Sequence, residues 1–522
     1  MPKHKHKKLI AVVFLPLLSA LLLILSFPAF NKGYLAWFSL LPLFFYCRET
    51  GPGRRAFTGG MLAGFIFFLY LYSYMAHAVN FLFPPYLGLL VVVLSSFVSS
   101  LYFAGFALAF AFFLKWGRPL LTALAASSLW VLLEYLRSAG LLGHSGGFLG
   151  YSQADYFMLL PLVSLYGYWG LPFLMVLFQV ALFSVLPLLW RKTGSPLTGR
   201  KTALPFLLFA SMLVAGLWLP SLFPVQEKEE NLRIALLQGN ISQEDVLNPT
   251  MASANFQKYI ALTKEAGERY GALDLIVWPE TVLSQNVART RAKAPGELAA
   301  LAVQTGAPIL FGAMFEDLAT GDVFNSILLQ RPGFPSFDEQ RYDKQRLVPF
   351  AEYFPLHNLL NKILKSDVSL GTYTPGRAAA PFSLGNFNPG GIVCFESYFP
   401  RPALEKARQG AEHLFVLTND AWFLQSHGLE QHIRVAPFRA AELGIGVTQV
   451  ANTGLTRSYD YRGKEVYALP SHREETGLLE TVMPQRRTLY RLWGDYFVLL
   501  CAAALAFCLF KSRGGRSAVG NS

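Results

Sequence analysis

Long apolar runs occupy both ends of the chain and enclose one polar section. Crossing a lipid bilayer takes about 20 consecutive apolar residues. The pattern therefore predicts about eight membrane-spanning helices, seven before the polar section and one after it. The run at 34–47 is short and the run at 158–190 is long, so each is compatible with a tilted or re-entrant segment. The apolar runs cover residues 9–27, 34–47, 57–77, 86–114, 119–136, 158–190, 203–222 and 492–510.

The polar section, residues 223–485, alternates between short apolar segments and segments with helical spacing. Such alternation is typical of an α/β domain with a layered sheet core. Predicted strands cover 232–238, 274–278, 308–312, 323–329 and 414–418, and one further strand ends at Cys394. Predicted helices cover 251–270, 296–305 and 429–443.

Composition supports a membrane protein. Of the 522 residues, 53% are hydrophobic and only 15% are charged, whereas soluble domains carry about 25% charged residues. The formal net charge of +12 would fit a nucleic-acid partner if it were spread over a surface. Here the basic residues lie mostly between apolar runs, which indicates membrane topology and no nucleic-acid partner.

The basic residues also orient the predicted helices. Arg48, Arg54 and Arg55 follow the second apolar run, while the connections near 78–85 and 138–157 contain no Lys or Arg. Basic loops stay on the cytoplasmic side of the membrane. We therefore expect both termini in the cytoplasm and the polar section outside, which in a bacterium is the periplasm.

One cysteine stands apart from the others. Cys394 lies in the polar section, whereas Cys47, Cys501 and Cys508 lie in or beside apolar runs. The four cysteines therefore provide no disulfide framework. A lone thiol is either a small buried hydrophobic group or a nucleophile.

Other polar residues follow predicted strands, where α/β folds place their sites. Together Glu280, Lys344, Glu352 and Cys394 form a set suited to acyl transfer. A carboxylate can take the thiol proton, and an ammonium group lowers the thiol pKa and stabilises an oxyanion. Glu352 would keep Lys344 charged and oriented. The sequence shows no metal-ligand cluster or phosphate-binding glycine loop, so we expect no cofactor.

These residues lie in motifs that resemble the Glu-Lys-Cys motifs of the nitrilase superfamily. The motifs are Trp278-Pro279-Glu280, Tyr342-Asp343-Lys344 and Gly391-Ile392-Val393-Cys394-Phe395-Glu396. With the apolar runs added, nearly the whole chain resembles the apolipoprotein N-acyltransferase family of the bacterial inner membrane. The resemblance implies three regions: a membrane domain of seven helices at 1–222, a periplasmic αββα catalytic domain at 223–488, and a last helix with a cytoplasmic tail at 489–522.

The resemblance also implies roles for single residues. Glu280 would be the base, Lys344 the oxyanion and charge stabiliser, and Cys394 the nucleophile. The residues expected to support the site are Glu352, Phe395 and Glu396, and those expected to contact substrate are Asn419, Trp422 and Tyr353.

The implied reaction is N-acylation of the N-terminal diacylglyceryl-cysteine of apolipoproteins through a thioester on Cys394. The expected acyl donor is a phospholipid, with phosphatidylethanolamine as the family's donor, and the expected state is a monomer. Two alternatives stay open: a membrane-tethered amidase with a small soluble substrate, and a non-catalytic membrane scaffold. An amphipathic stretch at 354–365 is expected either to dip into the outer leaflet or to pack in the core.

The chain departs from the family pattern at several positions. Leu424 stands where the family has Gly, Ala351 where it often has Gly, and Gln449 where it has Arg, while Pro437 interrupts the predicted helix 429–443. None of these changes removes a group from the expected catalytic set. They bear on substrate contacts and on the local backbone.

Overall fold

The computed structural model describes residues 2–140, 143–189, 202–227, 231–283, 294–335, 337, 340–353 and 373–514. The amphipathic stretch 354–365 lies outside these residues. Two compact units make up the chain. The first unit comprises Met1–Leu222, Ser426–Gln431 and Trp493–Ser522, and the second comprises Phe223–Gln425 and His432–Leu492.

Helices dominate the first unit. They are α1 (Pro2–Ser26), α2 (Leu41–Thr50), α3 (Arg54–Tyr72), α4 (Met75–Leu82), α5 (Pro85–Phe113), α6 (Pro119–Ser138), α7 (Pro161–Tyr166), α8 (Gly170–Leu189) and α9 (Leu204–Trp218). Near the end of the chain this unit also contains the helix Tyr496–Gly514.

Five helices of the described chain are long and apolar enough to cross a membrane: Arg54–Tyr72, Pro85–Trp116, Pro119–Ser138, Leu204–Leu222 and Tyr496–Arg513. They lie at five of the eight predicted positions. The predicted run 158–190 forms a helix pair bent by 109°, which would count as a sixth span or a re-entrant loop. The run 34–47 folds as a 3₁₀ turn followed by α2, so it does not form one spanning helix.

The second unit is built on two main sheets. Its strands are β1 (Val225–Gln226), β2 (Leu232–Gln238), β3 (Leu275–Val277), β4 (Ile309–Glu316), β5 (Val323–Gln330), β6 (Arg341–Asp343), β7 (Pro389–Val393), β8 (His413–Thr418), β9 (Gly446–Ala451), β10 (Arg457–Tyr459), β11 (Glu465–Ala468), β12 (Glu475–Thr481) and β13 (Gln485–Arg486). Its helices are α10 (Gln243–Leu247), α11 (Ala252–Tyr270), α12 (Ala294–Thr305), α13 (Pro400–Arg408), α14 (Gly428–Ile433, which begins in the first unit), α15 (Ala436–Leu443) and α16 (Leu489–Trp493).

One sheet has the order β12-β2-β3-β4-β5-β6 and the other β11-β10-β9-β8-β7. Strands β2, β3 and β4 run parallel, as do β7, β8 and β9. The sheets pack face to face at β5 and β7, where a Cβ on Gly391 would lie 2.7 Å from Ile327 Cδ1. Helices α11 and α12 cover the first sheet, and α13 and α15 lie against the second. The result is a four-layer αββα domain.

The predicted helix 429–443 is wrong as a single helix. The chain forms α14 and α15 instead, with Pro437 in the first turn of α15. Proline lacks a backbone N–H and is tolerated only in the first turn of a helix. The break therefore falls just before the proline. All six predicted strands are present, within a few residues of their expected ends.

Candidate active site

Glu280 lies in the turn that follows β3. The preceding Trp278 is fully buried in the core, and its indole N–H donates to Thr263 Oγ1 over 2.9 Å. A Cβ on Gly312 in β4 would lie 2.6 Å from Glu280 Cα, so only glycine lets this turn pack against the strand. Thr281 then adopts φ +52°. The fixed turn holds the Glu280 carboxylate inside the domain, where it is 8% exposed.

Three donors converge on the Glu280 carboxylate. Asn325 Nδ2 donates to Oε1 over 2.8 Å, and Lys344 Nζ lies 3.5 Å from the same oxygen. The backbone N–H of Asn419 donates to Oε2 over 2.9 Å. These partners come from strands of both sheets or from the loops after them, so both sheets position this carboxylate.

Lys344 follows β6 and is buried, with 1% exposure. Its ammonium group donates to Glu352 Oε1 over 2.8 Å, a closer contact than that to Glu280. Burial by itself would lower the pKa of Lys344, but the carboxylates of Glu352 and Glu280 outweigh burial and raise it. Lys344 is therefore a fixed cation at neutral pH.

Glu352 is held in turn by the backbone N–H of Val348, which donates to Oε2 over 2.8 Å. Asn325 Nδ2 also donates to Glu352 Oε1 over 3.0 Å. Asn325 thus bridges both carboxylates from within β5, and sequence reasoning missed it. The available signal was an amide in a strand whose inner residues are otherwise mostly apolar.

Cys394 is the first residue after β7 and opens a 3₁₀ helix, Cys394–Tyr398. Its φ is +50°, a conformation that costs a non-glycine residue about 1–3 kcal/mol and that concentrates at functional sites. Burial raises the pKa of the Cys394 thiol, and so does the negative charge of Glu280, while Lys344 opposes them. The resting group is a neutral thiol at neutral pH, so its attack on a substrate requires a base.

Glu396 is fully buried and ties two loops together. Its carboxylate accepts hydrogen bonds from the Tyr342 hydroxyl, from the backbone N–H groups of Gln345 and Arg346, and from Val393 N–H. Burial raises the pKa of Glu396, although the backbone donors act in the opposite direction. The carboxylate therefore fixes the loop after Lys344 against the strand that ends at Cys394.

The remaining predicted site residues differ in their exposure. Asn419 is buried, and its side chain bonds to Gln243 and Asn452. Trp422 and Tyr353 are half-buried, and Phe395 is half-buried with its ring 5.2 Å from that of Phe399.

A second polar cluster lies beside Cys394 and was not predicted. His432 Nδ1 lies 2.8 Å from Asp420 Oδ1, and Nε2 lies 3.2 Å from the carbonyl oxygen of Cys394. The Cys394 sulfur, an Asp420 oxygen and a His432 nitrogen lie within 4.8 Å of one another, a spacing that would admit a metal ion. Both ring nitrogens of His432 have hydrogen-bond partners within the protein.

Known protein families match both the membrane region and the polar section of the chain. Residues 19–181 match the model of the apolipoprotein N-acyltransferase N-terminal domain, and residues 233–491 match that of the carbon-nitrogen hydrolases. An apolipoprotein N-acyltransferase of Geobacter metallireducens is 31% identical over 502 residues, which cover 94% of this chain and 93% of the relative. The chain belongs to the apolipoprotein N-acyltransferase family.

Another member of this family, from Thermotoga maritima, is 29% identical over 512 residues, covering 96% of this chain and 94% of the relative. The member from Haemophilus influenzae is 27% identical over 508 residues, covering 95% and 93%. The predicted nitrilase-like domain is confirmed by the carbon-nitrogen hydrolase match. The family and the apolar helices together make the chain a membrane protein.

Substitution of Leu424 would test whether its backbone conformation is strained. Leu424 has φ +50° and ψ −142°, which favour glycine, and its side chain is 47% exposed. We expect Leu424→Gly to raise the free energy of unfolding by about 1 kcal/mol and the melting temperature by about 2 °C, measured by thermal unfolding in detergent. Leu424→Ala keeps the Cβ and is the matched control. An equal gain in both variants would show that the apolar side chain, and not the backbone, limits stability.

Proposed function

We propose that this protein N-acylates the N-terminal diacylglyceryl-cysteine of apolipoproteins, the last step of bacterial lipoprotein maturation. The family relationship over 94% of the chain supports the substrate class. The observation that carries the chemistry is the convergence of Glu280, Lys344 and Glu352 with a thiol whose pKa responds to Glu280 and Lys344.

In the first half-reaction, Glu280 takes the proton of Cys394 as the sulfur attacks the carbonyl carbon of a phospholipid acyl ester. The Lys344 ammonium and the backbone N–H of Phe395 hold the oxyanion that forms. The ester C–O bond then breaks, and protonated Glu280 returns its proton to the departing lysophospholipid oxygen. A thioester remains on Cys394.

In the second half-reaction, the α-amino group of the diacylglyceryl-cysteine attacks the thioester. Glu280 accepts a proton from the attacking nitrogen. The C–S bond breaks, the sulfur recovers a proton, and the lipoprotein leaves with an amide at its N-terminus. The two substrates bind in turn, so steady-state kinetics should follow a ping-pong pattern.

Membrane attachment suits this reaction because donor and acceptor are both anchored in the bilayer. We place residues 223–488 in the periplasm and both termini in the cytoplasm of an inner-membrane protein. The absence of Lys and Arg in the connections near 78–85 and 138–157 supports this orientation. Phosphatidylethanolamine is the proposed donor and a monomer the proposed state.

Two other functions use the same fold. A membrane-tethered amidase would need the same Glu280, Lys344 and Cys394 but would act on a soluble substrate. A scaffold would need none of the three. The charged, hydrogen-bonded state of the Glu280–Lys344–Glu352 cluster favours an enzyme, because an idle buried ion cluster carries a desolvation cost.

Cells depleted of this protein are expected to accumulate lipoproteins whose N-terminal amine is free. Mass spectrometry of their N-terminal peptides should show a mass lower by one fatty acyl group. Re-expression of the wild-type chain should restore that mass, and re-expression of the Cys394→Ala variant should not. Fully acylated lipoproteins in depleted cells would contradict the proposed function. The amidase with a soluble substrate would then be the better hypothesis.

A further inference from the structure

His432 lies in α14, and its ring is held from both sides. Nδ1 is 2.8 Å from Asp420 Oδ1. Nε2 is 3.2 Å from the Cys394 carbonyl oxygen and 3.1 Å from Ser397 Oγ. The ring is 1% exposed, with Tyr398 stacked on it at 5.4 Å. Water therefore does not compete for either nitrogen.

The partners of the ring define its protonation state. A carboxylate and a backbone carbonyl are hydrogen-bond acceptors only. Asp420 is already an acceptor for the Thr418 hydroxyl at 2.9 Å and for Gln449 Nε2 at 3.3 Å, which fits its ionised form. Nδ1 of His432 therefore carries a proton. Nε2 could accept a hydrogen bond from the Ser397 hydroxyl, but it bonds to the Cys394 carbonyl only if it carries a proton as well. A ring that donates from both nitrogens is an imidazolium cation.

The charges around the ring support that state. Burial on its own would lower the pKa of His432, but Asp420, the Cys394 carbonyl and Glu280 together raise it. The neighbouring amide, Gln449, brings no charge to Asp420. His413 shows the contrast within the same domain. His413 bonds to the Thr448 hydroxyl, and burial lowers its pKa to about 3.

We propose that His432 is a positioning residue for Cys394. As an imidazolium paired with Asp420, it fixes the carbonyl of Cys394, and with it the positive-φ conformation of the nucleophile, and it sets a second cation beside the thiol. This inference rests on the proposed role of Cys394. The side chains of Cys394, Asp420 and His432 are spaced closely enough to admit a metal ion. In the proposed arrangement, a proton occupies each nitrogen of the His432 ring instead.

The sign of the electrostatic effect follows from the charged groups that face the thiol. Glu280 and Asp420 raise the pKa of Cys394, and Lys344 lowers it. The His432 cation offsets Asp420. A neutral residue at position 432 would leave the Asp420 charge uncompensated, so the thiolate would form only at higher pH.

The experiment measures the alkylation rate of Cys394 by iodoacetamide against pH, on the purified full-length protein in detergent, with peptide mass spectrometry. His432→Gln keeps an N–H donor for the carbonyl and removes the charge. We expect the pH midpoint for Cys394 to rise by about one unit or more. His432→Gln combined with Asp420→Asn removes both charges and should recover at least half of that shift. His413→Gln is the matched buried control and should leave the midpoint unchanged.

An unchanged midpoint in folded His432→Gln would overturn the proposal. So would a rate that falls equally at every pH, because that result would reduce His432 to a structural support. Thermal unfolding establishes that each variant is folded. If His432→Gln does not fold, His432→Asn, which keeps a donor toward Asp420, provides the same readout. The assay uses neither phospholipid nor lipoprotein, so the proposed acyl transfer can fail without affecting this result, and the reverse also holds.

Discussion

Replacing Cys394 by alanine is expected to lower acyl transfer by at least about 10⁴-fold, because both proposed half-reactions pass through its sulfur. The decisive measurement uses purified protein incubated with phospholipid and no acceptor. Peptide mass spectrometry should then find a fatty acyl group on the Cys394 peptide of the wild type. Hydroxylamine should release that group, since it cleaves thioesters. The Cys394→Ser variant should show no such labile adduct.

The matched control for this prediction is Cys47→Ala. Cys47 is buried in α2, and its thiol donates to the carbonyl oxygen of Ala107 in α5. Its removal should leave the acyl adduct on Cys394 in place. Full activity of Cys394→Ala would exclude the thioester route. An unmodified Cys394 in folded wild-type protein, with intact phospholipid present, would favour an amidase with a soluble substrate.

The strand pattern of the second unit was predictable because its central strands are buried on both faces. Continuous apolar runs such as Leu275–Val277 can then stand out from their polar flanks. Strands β9 to β12 were not predicted. Several of them are short or mix polar with apolar residues, as β11 does with four mostly exposed positions. The position of β12 is set by pairing with β2, which lies far away in the sequence, and no local pattern displays that pairing.

The membrane region was predicted well where a run is long and uninterrupted. Helix α5, 29 residues long, matches its predicted run closely. The run 158–190 contains Gly167 and Gly170 at the break between α7 and α8. Glycine relieves the steric limits on the backbone there, so overall apolarity predicted the segment but not its bend.

Within the site, the sequence pointed to residues at strand ends and to Glu352, and it missed Asn325 and His432. Glu280, Lys344 and Cys394 each follow a strand, a position that is visible in the sequence. The hydrogen-bond partners of Asn325 lie 27 and 45 residues away in the sequence, and those of His432 lie 12 and 38 residues away. A lone histidine on an otherwise ordinary helix gives no local sign of a carboxylate partner, and only the folded chain brings the two together.

The charges around Lys344 and Cys394 give the carboxylates of Glu280 and Glu352 different roles. Lys344 lies 2.8 Å from Glu352 and 3.5 Å from Glu280. Glu352 is therefore the closer partner of the ammonium group. Among the charged groups, Glu280 contributes most to raising the pKa of the Cys394 thiol. One carboxylate is thus suited to hold the lysine, and the other to accept a proton.

Glu280→Gln is expected to lower acyl transfer by about 10³-fold, because the amide cannot accept the thiol proton. The free energy of unfolding should change little, since Glu352 still pairs with Lys344 and the amide oxygen can still accept from Asn325 or Asn419. Single-turnover acylation of Cys394 by phospholipid, followed by mass spectrometry, measures the first effect, and thermal unfolding measures the second.

Glu352→Gln is the matched comparison, with the same chemical change one contact away. It removes the closest anion from buried Lys344 and should cost about 3 kcal/mol of folding stability. Glu280→Gln should therefore lose activity and keep its folding stability, whereas Glu352→Gln should lose folding stability. Activity of Glu280→Gln above a tenth of the wild-type rate would show that another group takes the proton. In that case the assignment of the base would pass from Glu280 to its neighbour, because Glu352 is the other carboxylate that contacts Lys344 in the described site.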